Sequence, residues 1–324
     1  MPTSYCNMYS APHAGFQANS NGMQRRSGNG NAFSGDEKKA MADAVRNAMS
    51  DGAARRDYDE AKRLVTHAVM VDPTFLCQVF TFSVQMHEGV LMDTDMTLMA
   101  FAVLQNNRFG NGFAEWIGSN FPQSSFMSPV AIGNCIDTLD AALLHNNRDW
   151  AATVCQPHLS RPINPNAPLR VRDYYAFKRL FRRYPRVDFL SCHAPKMFYY
   201  AYDGNKDAVE SLTEGCHANA HAVDDNGRTV LHAIALGWAD SVLCTDDGPF
   251  RARFEAENVR TAAWSHPHLW GYFVKRGGFD EEARDKDGKT ADVLLVETLL
   301  EVHGESFASI TWMHWYNACK DAKE

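Results

Sequence analysis

No C-x-x-C pair occurs in this chain, and its eight cysteines, at positions 6, 77, 135, 155, 192, 216, 244 and 319, follow no regular framework. That argues against common zinc ribbons and dithiol redox motifs, and suits free thiols in a reducing compartment better than a disulfide scaffold. Long apolar runs are missing too. The longest, such as Leu98 to Leu104, fall well short of the roughly 18–20 residues needed to span a bilayer. Basic charge is not in excess: 32 Lys and Arg face 39 Asp and Glu, for a net charge of −7. Composition therefore does not point to nucleic acid as the main partner. No P-loop, G-x-S-x-G or G-x-G-x-x-G is present, so the most recognisable phosphate-binding and hydrolase signatures are absent.

Acidic residues are absent from the first 35 positions, which are rich in Ser, Asn, Gly and Ala. Such a segment buries too little apolar surface to offset its ordering entropy, so residues 1–35 are expected to be disordered. They lack the apolar core of a secretory signal. Two readings stay open. One is an unaddressed terminus on a cytoplasmic protein. In the other, the segment resembles the polar, acid-poor leaders with which some bacterial effectors are delivered into a host cytoplasm.

Residues 36–156 read as a helical N-terminal region. Asp36 and Glu37 favour a helix start, and Ala40, Met41, Ala44, Val45 and Ala48 make an apolar stripe. A second helix is expected over roughly Tyr58 to Val69. Thr74 to Met86 reads as a buried helix, with a strand possible from its β-branched and aromatic content. Thr97-Leu-Met-Ala-Phe-Ala-Val-Leu-Gln-Asn-Asn-Arg108 is echoed by Thr138-Leu-Asp-Ala-Ala-Leu-Leu-His-Asn-Asn-Arg148. Asn147-Arg148-Asp149-Trp150-Ala151 is in turn like Asn205-Lys206-Asp207-Ala208-Val209. Helix pairs joined by short polar turns are therefore expected from about residue 90. Phe109-Gly110-Asn111-Gly112 reads as a turn.

Residues 157–168 hold four prolines and read as a linker. The most basic stretch follows at 170–186, an expected helix with Tyr174, Phe177, Phe181 and Tyr184 along one stripe. Arg179, Arg182 and Arg183 could bind phosphate groups or an acidic partner. The alternative is an amphipathic helix that merely solvates its arginines.

From Met197 to Leu243 a unit of two short helices and a polar turn starts over. Ala201 and Ala235 lie 34 residues apart, and the second unit opens Asn226-Gly227-Arg228-Thr229-Val230-Leu231-His232. Gly227 supplies the positive φ of a turn, and Thr229 can cap the next helix. Another such opening is Asp285-Lys286-Asp287-Gly288-Lys289-Thr290. These openings resemble the ankyrin repeat. The resemblance implies an all-α, ankyrin-like helical repeat stack over 169–303, with a structural His232 that ties neighbouring turns together. It also implies a capping helix over 304–324, and a protein partner held on inner helices and turn tips, here Arg228, Trp238 and Lys286.

No cofactor and no metal site is expected. Cys192-His193 and Cys216-His217 with His221 do not match zinc spacing. The expected function is a protein-interaction scaffold. Two alternatives are an anionic-ligand or nucleic-acid binder working through 170–186, and an enzyme sited in the N-terminal helices.

Overall fold

The computed structural model describes residues 34–85, 91–121, 135–156, 162–167, 190, 193–243, 266–275, 278–303 and 305–323. The leader up to residue 33 and the basic stretch with Arg179, Arg182 and Arg183 lie outside them.

The described chain is mostly helical. Helix α1 (Gly35–Arg55) starts on a capping box: Ser34 Oγ accepts from the Glu37 N–H, and Glu37 accepts from the Ser34 N–H at 2.7 Å. It stops at Arg56, in the left-handed region. Helix α2 (Asp59–Val71) folds back on it, burying Ala61, Val65 and Ala68.

Thr74 to Met86 departs from the expected helix. A 3-10 turn (Phe75–Cys77) leads into strand β1 (Phe80–Gln85). Phe80, Phe82 and Val84 are buried while Thr81 and Ser83 are exposed; this period of two fits a half-buried strand and not a helix. Strand β2 (Leu91–Met96) pairs antiparallel with β1, and Thr81 and Ser83 donate to Asp95 and Asp93 across the pair. A two-residue strand β3 (Cys135–Ile136) pairs parallel with β2. The fold is thus helical with one small sheet.

Strands β2 and β3 lead into the echoed segments. Helix α3 (Leu98–Leu104) follows β2 and is capped by Thr97; helix α5 (Thr138–Leu144) follows β3 and is capped by Asp137. Each inner helix turns into an outer one: α4 (Arg108–Asn120), then α6 (Arg148–Val154). The pair α7 (Lys196–Tyr202) and α8 (Lys206–Glu210) repeats the arrangement, and a π turn (Ser211–Gly215) extends α8. All three connections use one device. Asn106, Asn146 and Gly204 take positive φ of 43°, 54° and 72°, and the next residue is always Asn. Asn107 and Asn205 then cap the outer helix with their side chains. Phe109 to Gly112 is therefore the first turn of α4, not a loop. A Cβ on Gly110 would come within 2.4 Å of the Ala102 carbonyl oxygen, so glycine there lets α4 close on α3.

Helix α9 (Val230–Leu243), a helix α10 at 266–275, α11 (Ala291–His303) and α12 (Glu305–Lys323) follow among the described residues. Inner helices pack in series, α3 on α5 and α7 on α9 on α11. Residues 230–240 of α9 are all buried, as a helix walled by neighbours requires. One apolar cluster runs from Val45 to Cys319. Within the proline-rich segment, Ile163 is buried and its N–H donates to the Val154 carbonyl, while Asn166 accepts from the Asn219 N–H at 2.6 Å. Its described part is a strap tied to both flanking hairpins.

Candidate binding site

The turns before α9 and α11 are built alike. Asp224 Oδ1 accepts from the Asn226 and Arg228 N–H groups at 2.8 and 2.9 Å, and Asp285 Oδ1 accepts from those of Asp287 and Lys289 at 2.9 Å. Gly227 and Gly288 sit at φ 73° and 77°, where a side chain would be strained. The Lys286 N–H donates to the Asn226 carbonyl at 2.9 Å, which lays one turn on the next.

His232 joins the same two turns. Its Nδ1 accepts from the Thr229 N–H at 3.1 Å and its Nε2 reaches the Lys289 carbonyl at 3.1 Å. An amide only donates and a carbonyl only accepts, so the proton resides on Nε2 and the ring is neutral. Burial holds its pKa below the ordinary 6.5.

Of the sequence-derived contact residues, Arg228 and Lys286 lie on these adjoining turns. Arg228 faces Asp285 at 3.8 Å, and the Lys286 ammonium bonds the Asp225 carbonyl. Trp238 is a correction. It is 3% exposed, its ring 5.1 Å from that of Trp315, so it packs the interior and presents nothing to a partner. The inner-helix position that the resemblance assigned to a partner is spent on the core.

Among the described residues a cleft of about 650 Å³ lies elsewhere. Phe101 and Leu104 of α3, Leu143 and Leu144 of α5, and Val84 of β1 back it, but most of the surface it exposes is polar. Ser50 of α1, Gln105, His145, Asn146 and Asn205 add polar groups. Among its lining residues only Asp207 carries a full charge, and Arg148 pairs with it at 2.7 Å and with Glu210 at 3.1 Å. Sequence reasoning did not single out this cleft. The signal it could have used is the shared Leu-x-Asn-Asn-Arg ending of the two echoed segments, which places His145 and Asn146 one repeat away from Gln105.

A second feature was also missed. Lys196, 5% exposed in the first turn of α7, donates to Asp137 at 2.6 Å and to both oxygens of Asp140 at 2.8 Å. Burial and the charge of Asp137 push the Asp140 carboxyl up to about 8. Burial would also raise Asp137, but the Lys196 charge and hydrogen bond outweigh it and leave Asp137 below the usual range. Lys196 is raised, its own desolvation outweighed by the two aspartates. Below that Asp140 value the trio is one cation, one anion and one neutral acid. It joins α5 to α7 and does not line the cleft, so its geometry is that of a seam.

His217 and His221 give no shared metal face. His217 has a positive φ of 53°, and the His221 ring stacks on Phe279 at 4.2 Å. Among the described residues no group of three or more His, Cys, Asp or Glu is placed to hold a metal ion, and no helix is long and apolar enough to cross a membrane. No family model matches the chain, and no curated protein matches it.

Proposed function

We propose that the protein is an interaction scaffold of the ankyrin-like kind, in which a segment of another protein sits in the cleft between α1, β1 and the inner-helix ends. The observation that carries this reading is the make-up of the cleft. Successive repeats contribute equivalent positions to it, its apolar residues lie mostly buried behind a hydrogen-bonding lining, and its one carboxylate is already paired. A surface of this kind suits recognition of a peptide-like chain. Proton-transfer chemistry would instead call for a free acid and base facing each other.

The test is affinity capture with the full-length protein and a Ser50→Arg variant. Ser50 is exposed on α1 and lines the cleft, so arginine there fills the space without touching the core. The expected result is at least a tenfold loss of the captured partner, with an unchanged melting curve. A partner retained by Ser50→Arg and lost on changing Arg228 and Lys286 together would move the contact to the turn tips. A partner retained by both would overturn the proposal.

A further inference from the structure

Strand β1 is an outer strand of the sheet, whose order is β1-β2-β3. One of its edges is taken by β2 through an unbroken register from Phe80 to Gln85. On the other edge, every second residue of an antiparallel strand turns its N–H and C=O away from the paired neighbour. Among the described residues no partner meets those groups between Phe80 and Val84. The strand also lacks the features that usually guard an open edge. Phe-Thr-Phe-Ser-Val-Gln holds no charge and no proline, and its register shows no bulge.

This edge opens into the cleft. Ser83 and Val84 both line it, yet consecutive side chains leave opposite faces of a sheet. A cleft that touches both therefore runs along the margin of the strand, and the margin toward β2 is already filled. Ser50 and Ala53 of α1 line the same cleft.

We propose that the occupant of the cleft is an extended, basic segment of a partner protein that adds to β1 as a further strand. This rests on the reading of the cleft as a site for a protein segment, and gives that segment a backbone form and a charge. Main-chain pairing suits a cleft whose exposed surface is mostly polar, because N–H and C=O groups then supply the affinity. With α1 as a wall the cleft admits one extended segment, whereas the folded sheet of a second copy would collide with that helix. The charge follows from β2. Asp93 and Asp95 accept from Ser83 and Thr81 at 2.6 and 2.7 Å, on the face of the sheet where Thr81 and Ser83 are exposed. Among the described residues no Lys or Arg pairs with either aspartate. A strand added beside β1 lies about 10 Å from β2, a gap that Lys or Arg side chains at every second position can span. The length of β1 sets the segment at roughly six residues.

The experiment selects from a displayed library of random peptides of about ten residues on the intact full-length protein, with Ser50→Arg as the counter-selection. The expected peptides alternate Lys or Arg with uncharged residues. In synthetic copies, N-methylation of the amides that pair with β1, every second one, should weaken binding about tenfold or more per site, and the intervening amides should tolerate it. Amide exchange in β1 should slow when the peptide binds. Peptides that discriminate against Ser50→Arg but lack the alternating methylation pattern, the basic residues or the β1 protection would overturn strand addition and leave the cleft reading standing. If no peptide tells the unsubstituted protein from Ser50→Arg, the cleft reading falls and this inference falls with it. Protection of β1 that rises with protein concentration alone, together with a dimeric mass, would give the edge to a second copy and overturn the proposal.

Discussion

Gly237 shows how far a single side chain can decide this fold. It lies in α9 where that helix meets the end of α7, and a Cβ there would stand 1.9 Å from the Tyr202 carbonyl oxygen. The atom it meets is backbone, so the clash cannot be relieved by a rotamer change. Gly237→Ala should therefore destabilise the protein by about 2–3 kcal/mol or more, although alanine is the better helix former. The check is a urea midpoint; a neutral or stabilised variant would show that α7 and α9 are not so closely packed. Asp140 makes a second residue-scale prediction, in pH. Its folded value, about 8, is above the unfolded 3.8, so its contribution is fully present below 3.8 and is lost as pH rises toward 8. Asp140→Asn keeps a hydrogen-bond acceptor for Lys196 and removes that titration. The melting temperature of the unsubstituted protein should fall relative to Asp140→Asn between pH 5 and 8. Parallel profiles would place the proton elsewhere in the trio.

At the scale of the element, the connections between paired helices carry the repeat. Asn146 is held at φ 54°, a conformation that costs a residue with a Cβ roughly 1–2 kcal/mol unless its side chain compensates. Asn146 has such compensation, accepting from the Arg148 side chain at 3.1 Å. Asn146→Ala should cost about 1 kcal/mol, and Asn146→Gly should be close to neutral, since Gly204 fills the same place in the next hairpin. Thermal melts of the two variants would settle it, and equal losses would reject the shared turn. This device was partly legible in the sequence. The echo of residues 97–108 in 138–148, and the likeness of Asn147-Arg148 to Asn205-Lys206, marked the places where the chain reverses. The sheet was harder to read. Phe80 to Val84 alternates cleanly, but within a run as apolar as Thr74 to Met86 the helical and extended periods compete. β3 is two residues long and exists only by pairing with β2, a tertiary fact no local pattern carries. Lys196 was hidden for a similar reason. It opens an otherwise apolar helix, and its partners lie more than fifty positions earlier in what reads locally as a helix cap.

Across the whole molecule, what matters is whether neighbouring hairpins support one another in series. Surface pairs contribute little to this: Arg148 and Asp207 are about half exposed, and such pairs are worth up to about 1 kcal/mol. The strongest handle is Trp315 of α12, 1% exposed, its ring 5.1 Å from Trp238 and 5.4 Å from Trp270, with its indole N–H donating to Asp292 at 3.2 Å. One side chain thus touches three other helices, α9, α10 and α11. Trp315→Ala should destabilise that end by about 3–5 kcal/mol, through the cavity and through the Asp292 bond it loses. In a stack where each unit leans only on its neighbours, the damage should fade with distance. Amide hydrogen exchange should therefore speed up strongly in α11 and α12, less in α9, and hardly at all in α1 and α3. An equal rise along the chain would mean that the continuous core from Val45 to Cys319 opens as one cooperative body, and serial support between hairpins would then be the wrong account of its stability.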